Sequence, residues 1–189
     1  MKTATLFLSL LLLALPGFPA RGAEEPGVAV TVLHEGDTLT VDALMHVPVA
    51  PQEVWAVLAD FEHFADFVPN MQVSRIVSKP GEPLRIEQKG KSRYGLLSFS
   101  YESLREVELL PYETIKSRAI KGNMKKMETL TRLSAEGDGT RISYHNEVVP
   151  EFWLPPLIGP EFIRHEVAEQ FRAFIREMLR RNPAPQAKH

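Results

Sequence analysis

Three features of the sequence predict an α+β fold, in which one curved antiparallel sheet of about seven strands wraps a long C-terminal helix. Apolar residues recur at every second position through most of residues 28–149. Short clusters of Gly, Pro, Asn and Asp separate these runs, so consecutive strands pair antiparallel. From Ile163 the period changes, and Ile163, Val167, Phe171, Phe174, Ile175 and Met178 share one helical face.

Each element has its own signal. Val28 to Leu33 is β-branched, Glu35-Gly36-Asp37 turns the chain, and Leu39, Val41, Ala43, Met45 and Val47 alternate with Thr40, Asp42 and His46. The two segments form a hairpin whose second, longer strand is half-buried. Pro51 opens a helix, where its missing N–H costs nothing, and Val54, Trp55 and Leu58 give that helix an apolar stripe. Asp60 is placed to cap a second short helix carrying Phe61, Phe64 and Phe67 or Val68, which Pro69-Asn70 ends. Two short helices therefore follow the first long strand.

Residues 73–77 alternate without a clear inner face. Leu84, Ile86, Gln88 and Gly90 then oppose Arg85, Glu87, Lys89 and Lys91. Leu97, Phe99, Tyr101, Val107 and Leu109 mark a strand over residues 94–109; Tyr112 to Ile120 and Met124 to Leu133 follow, joined at Gly122-Asn123. Gly137-Asp138-Gly139 is a hairpin turn into Thr140 to Val149, with Ile142, Tyr144, Asn146 and Val148 on one face. Gly159-Pro160-Glu161 starts the last helix, Arg180 and Arg181 suit its C-terminal dipole, and Asn182-Pro183 stops it. Residues 182–189 read as a disordered tail.

Residues 1–22 read as a secretory signal peptide. Met1-Lys2 precedes an apolar run of about ten residues, half of the roughly 20 a membrane-spanning helix needs. Pro16-Gly17 breaks the run, and Ala20-Arg21-Gly22 supplies small residues for cleavage near Gly22. The expected location is periplasmic or secreted. Removing Lys2 and Arg21 takes the formal net charge from −2 to −4, which argues against a nucleic-acid partner. There is no cysteine, so disulfides and thiolate chemistry are excluded, and residues 23–181 must stand as a single domain on their own apolar core.

The chain resembles a known superfamily. The residues that carry the likeness are Val47-Pro48-Val49-Ala50-Pro51-Gln52-Glu53-Val54-Trp55-Ala56-Val57-Leu58-Ala59-Asp60-Phe61, then Phe64 and Phe67-Val68-Pro69, and the late strand Gly139 to Tyr144. Over about Asp37 to Arg181 it is similar to START-like, helix-grip (SRPBCC) proteins, also known as the polyketide cyclase/dehydrase superfamily, and most like their coenzyme Q-binding and cyclase-like bacterial branch. The resemblance implies an internal hydrophobic cavity between sheet and long helix. The expected function is binding, or transport, of a lipid, quinone or other small hydrophobic ligand, which the leader places in the periplasm, and the protein is expected to be a monomer without a cofactor. The resemblance does not name the ligand, because this fold hosts many functions.

The candidate cavity residues come from inner faces. Gln88 and Asn146 are polar on otherwise apolar strand faces, Thr129 shares its face with Met127, and Gln170 lies inside the helix stripe with Glu166 on its edge. A buried polar group without a partner costs roughly 1–3 kcal/mol. Such groups either satisfy one another or orient a ligand's polar end. Trp55, Phe64, Phe67, Phe99, Tyr101, Tyr144, Phe171 and Phe174 are candidate apolar lining, with Val167. The segment 151–159, which includes Trp153, is apolar for a loop and reads either as a plug packed on the core or as a gate or peripheral membrane contact through 152–158.

Six scattered histidines show no metal-ligand spacing, and no nucleophile elbow or phosphate loop is present, so neither a metal nor catalytic residues are assigned. Two rivals stand beside the binding reading. One is a cyclase- or dehydratase-like enzyme using Glu166, Tyr101 or Tyr144 as acid or base, for which an inward Glu or His without a structural partner would speak. The other is a filled-core interaction domain, for which a cavity below about 300 Å³ would speak.

Overall fold

In the computed structural model, alternating side chains build β1 (Val28–Glu35) and β2 (Thr38–Val47), joined at Gly36 with its positive φ of 60°. The structure describes residues 27–94, 97–151 and 159–183. The expected leader, residues 184–189 of the expected tail, and segment 152–158 with Trp153 lie outside them.

Pro51 stands at the start of α1 (Pro51–Leu58), as its fixed φ favours. The buried face of α1 is Val54, Val57 and Leu58. A 3₁₀ turn (Phe61–His63) and α2 (Phe64–Phe67) follow. Asp60 does not cap this turn with its side chain. Its carboxylate is taken by His63 Nδ1 at 2.6 Å and by the Arg181 guanidinium, Nη2 at 2.8 Å, and a charge-assisted bond of the latter kind is stronger than one from a neutral backbone N–H.

The remaining strands are β3 (Met71–Ile76), β4 (Arg85–Tyr94), β5 (Leu97–Leu110), β6 (Thr114–Gly122), β7 (Met124–Glu136) and β8 (Gly139–Pro150), ahead of α3 (Gly159–Arg181). Among the described residues they form one eight-stranded sheet of order β1-β2-β8-β7-β6-β5-β4-β3, antiparallel throughout and not closed, with β1 and β3 at its edges. The sheet has eight strands among the described residues, in line with the about seven expected, and the 73–77 stretch, whose inner face was ambiguous, falls largely in edge strand β3. Its buried residue is Ser74, whereas Ile76 is exposed. Polarity there runs opposite to burial.

The sheet curls over α3, which at 23 residues is about 34 Å long. The close backbone neighbours of α3 are β1, β2, α1 and α2. One apolar cluster joins Ile175 and Met178 of α3 to Val54, Phe61, Phe64, Ile86 and Ile142. A second gathers Leu39 and Val148 with Phe99, Met124, Met127 and Ile163 near the start of α3. The C-terminal end of the helix is fastened by Arg181, which bridges Glu177 Oε1 at 2.7 Å and Asp60 Oδ2 at 2.8 Å.

Candidate ligand cavity

Between α3 and the inner face of β4–β8 lies a cavity of about 280 Å³, lined from both apolar clusters. Strand parity decides who faces it. On β4, Ile86, Gln88 and Ser92 point inward, and on β8 so do Tyr144, Asn146 and Val148. On β7 the inward residues are Met124, Met127, Thr129 and Thr131. Helix α3 contributes Phe162, Ile163, Glu166, Val167, Gln170, Phe171 and Phe174, its 3.6-residue stripe.

Of the residues singled out from sequence, Phe64, Gln88, Phe99, Tyr101, Met127, Thr129, Tyr144, Asn146, Val167, Gln170, Phe171 and Phe174 line this cavity. Trp55 and Phe67 are not among its lining residues. Trp55 sits 100° round α1 from the buried face and makes an edge contact with exposed Tyr112, ring centroids 5.9 Å apart. Phe67 packs edge-on against Phe64 (5.9 Å) and Phe174 (5.3 Å), behind the wall. Trp153 lies outside the described residues.

Sequence reasoning missed the charged group in the wall. Arg105 on β5 faces inward with Tyr101, Ser103 and Val107. Parity alone would have shown it, since residues 99, 101, 103, 105 and 107 share one face of a strand. Its Nη2 donates to Gln88 Oε1, and Nη1 reaches Ser117 Oγ at 3.4 Å. Gln88 Nε2 donates to Ser74 Oγ at 3.0 Å, and the Ser74 hydroxyl donates to the Phe61 carbonyl at 2.6 Å. A chain of hydrogen bonds thus runs from the 3₁₀ turn through β3 and β4 to the guanidinium. Arg105 Nε and the Tyr101 hydroxyl are sealed from solvent and have no partner among the described residues.

Burial drives the electrostatics here. It raises the Tyr101 phenol to about 12 and pushes Tyr144 up as well, so both stay protonated at neutral pH. Burial also lowers Arg105, but a guanidinium starts so high that it stays charged. Glu166 is not waiting as a free acid or base. Its Oε2 accepts the Ser92 hydroxyl at 2.5 Å and Asn70 Nδ2 at 3.0 Å, tying α3 to β4 and to the loop before β3. Asn146 Oδ1 accepts from Thr129 Oγ1 at 3.1 Å, so this polar pair satisfies itself across β7 and β8.

A curved open sheet gripping one long helix over an apolar cavity defines a START-like, helix-grip domain. The chain belongs to the polyketide cyclase / dehydrase and lipid transport family, which it matches over residues 47–176. No curated protein matches it in sequence. Solved structures share its fold at low identity. The STAR-related lipid transfer protein from Xanthomonas axonopodis is 14% identical (TM-score 0.64), over 84% of this chain and 96% of that one. The Zhui aromatase/cyclase from Streptomyces sp. R1128 is 18% identical (TM-score 0.63; 80% of this chain, 99% of that one). Human STARD10 is 16% identical (TM-score 0.63; 82% of this chain, 70% of that one).

Proposed function

We propose that this protein binds, and carries, a small hydrophobic ligand such as a lipid or quinone in the cavity beneath α3, and that it does so as a monomer in the periplasm. The observation that carries the binding reading is the composition of the cavity wall. Its volume sits at the lower edge of the about 300–1,000 Å³ usual for ligand sites, so size alone leaves a filled core in contention. A filled core, however, has no use for a guanidinium and a phenol shut away without full hydrogen bonding. Burying an apolar ligand returns roughly 25 cal/mol per Å² of covered surface. The acid–base rival is less well supported, because Glu166 already holds two partners and both tyrosines are poised as donors rather than bases.

The periplasmic reading is supported by the sequence of residues 1–22 and is tested by N-terminal sequencing of protein from the envelope fraction, which should start near Gly22. Native mass spectrometry of that material, followed by solvent extraction, tests the ligand. A stoichiometric extra mass that extracts as a lipid or quinone is expected. A bare protein that takes up neither on incubation overturns the carrier reading.

A further inference from the structure

Among the described residues no carboxylate pairs with the Arg105 guanidinium. It is a permanent cation with five N–H donors, and the partners the structure gives it are both neutral, the Gln88 amide oxygen and the Ser117 hydroxyl. Its electrostatic neighbours are Tyr144 and Tyr101, also neutral. The carboxylates on the strands around it lie elsewhere. Glu106 is bound to Arg118, and Glu87 to Arg75 and Lys89. Of the two acids that line the cavity, Glu166 is engaged by Ser92 and Asn70, and Glu102 faces Lys89 Nζ at 3.8 Å. Taking a charge out of water is costly, and sequences retain one in a cavity wall where something pairs with it. The chain from the Phe61 carbonyl through Ser74 and Gln88 holds the guanidinium in place, which is how a binding group is preorganised.

We infer that the ligand is an amphipathic anion, an apolar body ending in a carboxylate or phosphate-type oxyanion that pairs with Arg105. The inference rests on the reading that this cavity holds a ligand, and it narrows that ligand's class. A guanidinium suits such oxyanions because its planar fork can donate two parallel N–H bonds. Tyr101 lines the same wall, its protonated hydroxyl lying over Gly90 and shut from solvent. At about 30 Å³ per non-hydrogen atom, 280 Å³ holds on the order of ten such atoms. That suits a single medium-length chain or a small ring system and not a two-tailed lipid.

The probes are decanoate, 1-decanol, decyl phosphate and inorganic phosphate, titrated calorimetrically into protein purified from cells producing the full chain. Decanoate or decyl phosphate should bind at least about tenfold more tightly than decanol, the scale of a charge-assisted pair. The stronger of the two acids then identifies the headgroup as carboxylate or phosphate. Arg105→Met should bring acid and alcohol to within about twofold, and Arg105→Lys should keep part of the preference. Gln88→Glu, which gives Arg105 an internal counter-ion, should remove the preference even if Arg105→Met does not fold. Decanol binding as well as either acid to the unaltered protein overturns the anion and leaves the cavity reading standing. Inorganic phosphate binding as tightly as decyl phosphate also overturns it, since the apolar body would then contribute nothing. Failure of all three amphiphiles overturns both readings.

Discussion

At Gly90 the absence of a side chain is a structural requirement. The residue faces inward directly opposite Tyr101. A Cβ there would lie 2.3 Å from the Asn70 carbonyl oxygen and 2.4 Å from the Tyr101 ring. The backbone neighbour cannot swing aside, so Gly90→Ala should destabilise the protein by about 1–3 kcal/mol, measured by urea unfolding. An unchanged midpoint would mean that both the Asn70 backbone and the Tyr101 ring can give way. Glu177 gives a second test at this scale. Hydrogen bonds from Arg180 and Arg181 outweigh burial and hold its carboxyl at about 2, below its ordinary 4.5. A depressed acid stabilises the fold above its unfolded value and loses that contribution as pH falls through the folded one. Glu177→Gln should therefore flatten the stability profile between about pH 4.5 and 2, and cost about 1–3 kcal/mol at neutral pH. A variant whose acid limb coincides with the parent's would exclude Glu177 as its source. Legibility at this scale was uneven for a physical reason. Gln88 stands out because it interrupts an apolar face, whereas Arg105 sits between Glu102 and Glu106 in a charged stretch and reads as surface unless parity is carried through the strand.

Helix α3 and its aromatic seat are the element on which the cavity depends. Phe64 touches the rings of Phe61 (5.4 Å), Phe67 (5.9 Å) and Phe174 (4.9 Å), each near edge-to-face, and so locks α2 to α3. Phe64→Ala should cost about 3–5 kcal/mol and enlarge the cavity on the α2 side. Chemical denaturation measures the first effect, and increased uptake of a hydrophobic dye in the folded baseline measures the second. A loss below about 1 kcal/mol would mean that α2 carries little of the packing. Elements were readable where polarity and burial agree. The stripe of α3 and the alternation of β2, β7 and β8 are both visible in sequence because each buries apolar residues on one face. On β3 the core-facing residue is Ser74, held by the Phe61 carbonyl, so its alternation points the wrong way. On α1 the fully buried residues are Val54, Val57 and Leu58, so the expected stripe lacked Val57, and Trp55 is only partly buried against the core.

Across the whole molecule, the uncompensated guanidinium sets stability of the empty protein against ligand recognition. Sequence pattern could reach the sheet and the helix, because each follows from local periodicity, and the family resemblance implied a space between them. The volume of that space and the orphaned donors in its wall depend on how distant side chains meet, which no local pattern encodes. If Arg105 and Gln88 are there for a ligand, the empty protein is less stable than it could be. Replacing both together, Arg105→Met with Gln88→Leu, removes the buried cation and its neutral acceptor while Ser74 keeps its bond to Phe61. Exchanging a buried ionic group for apolar side chains of similar volume is often neutral or stabilising by about 1–4 kcal/mol. The double variant should accordingly unfold at the same temperature as the parent or several degrees higher, at about 2–4 °C per kcal/mol for a domain of this size. The unaltered protein should recover the difference when its ligand is present, since a ligand at 100 times its dissociation constant adds about 2.7 kcal/mol. Decanoate should then raise the melting temperature of the parent and leave that of the double variant nearly fixed. A double variant that melts well below the parent, and still gains stability from decanoate, would make Arg105 a structural strut.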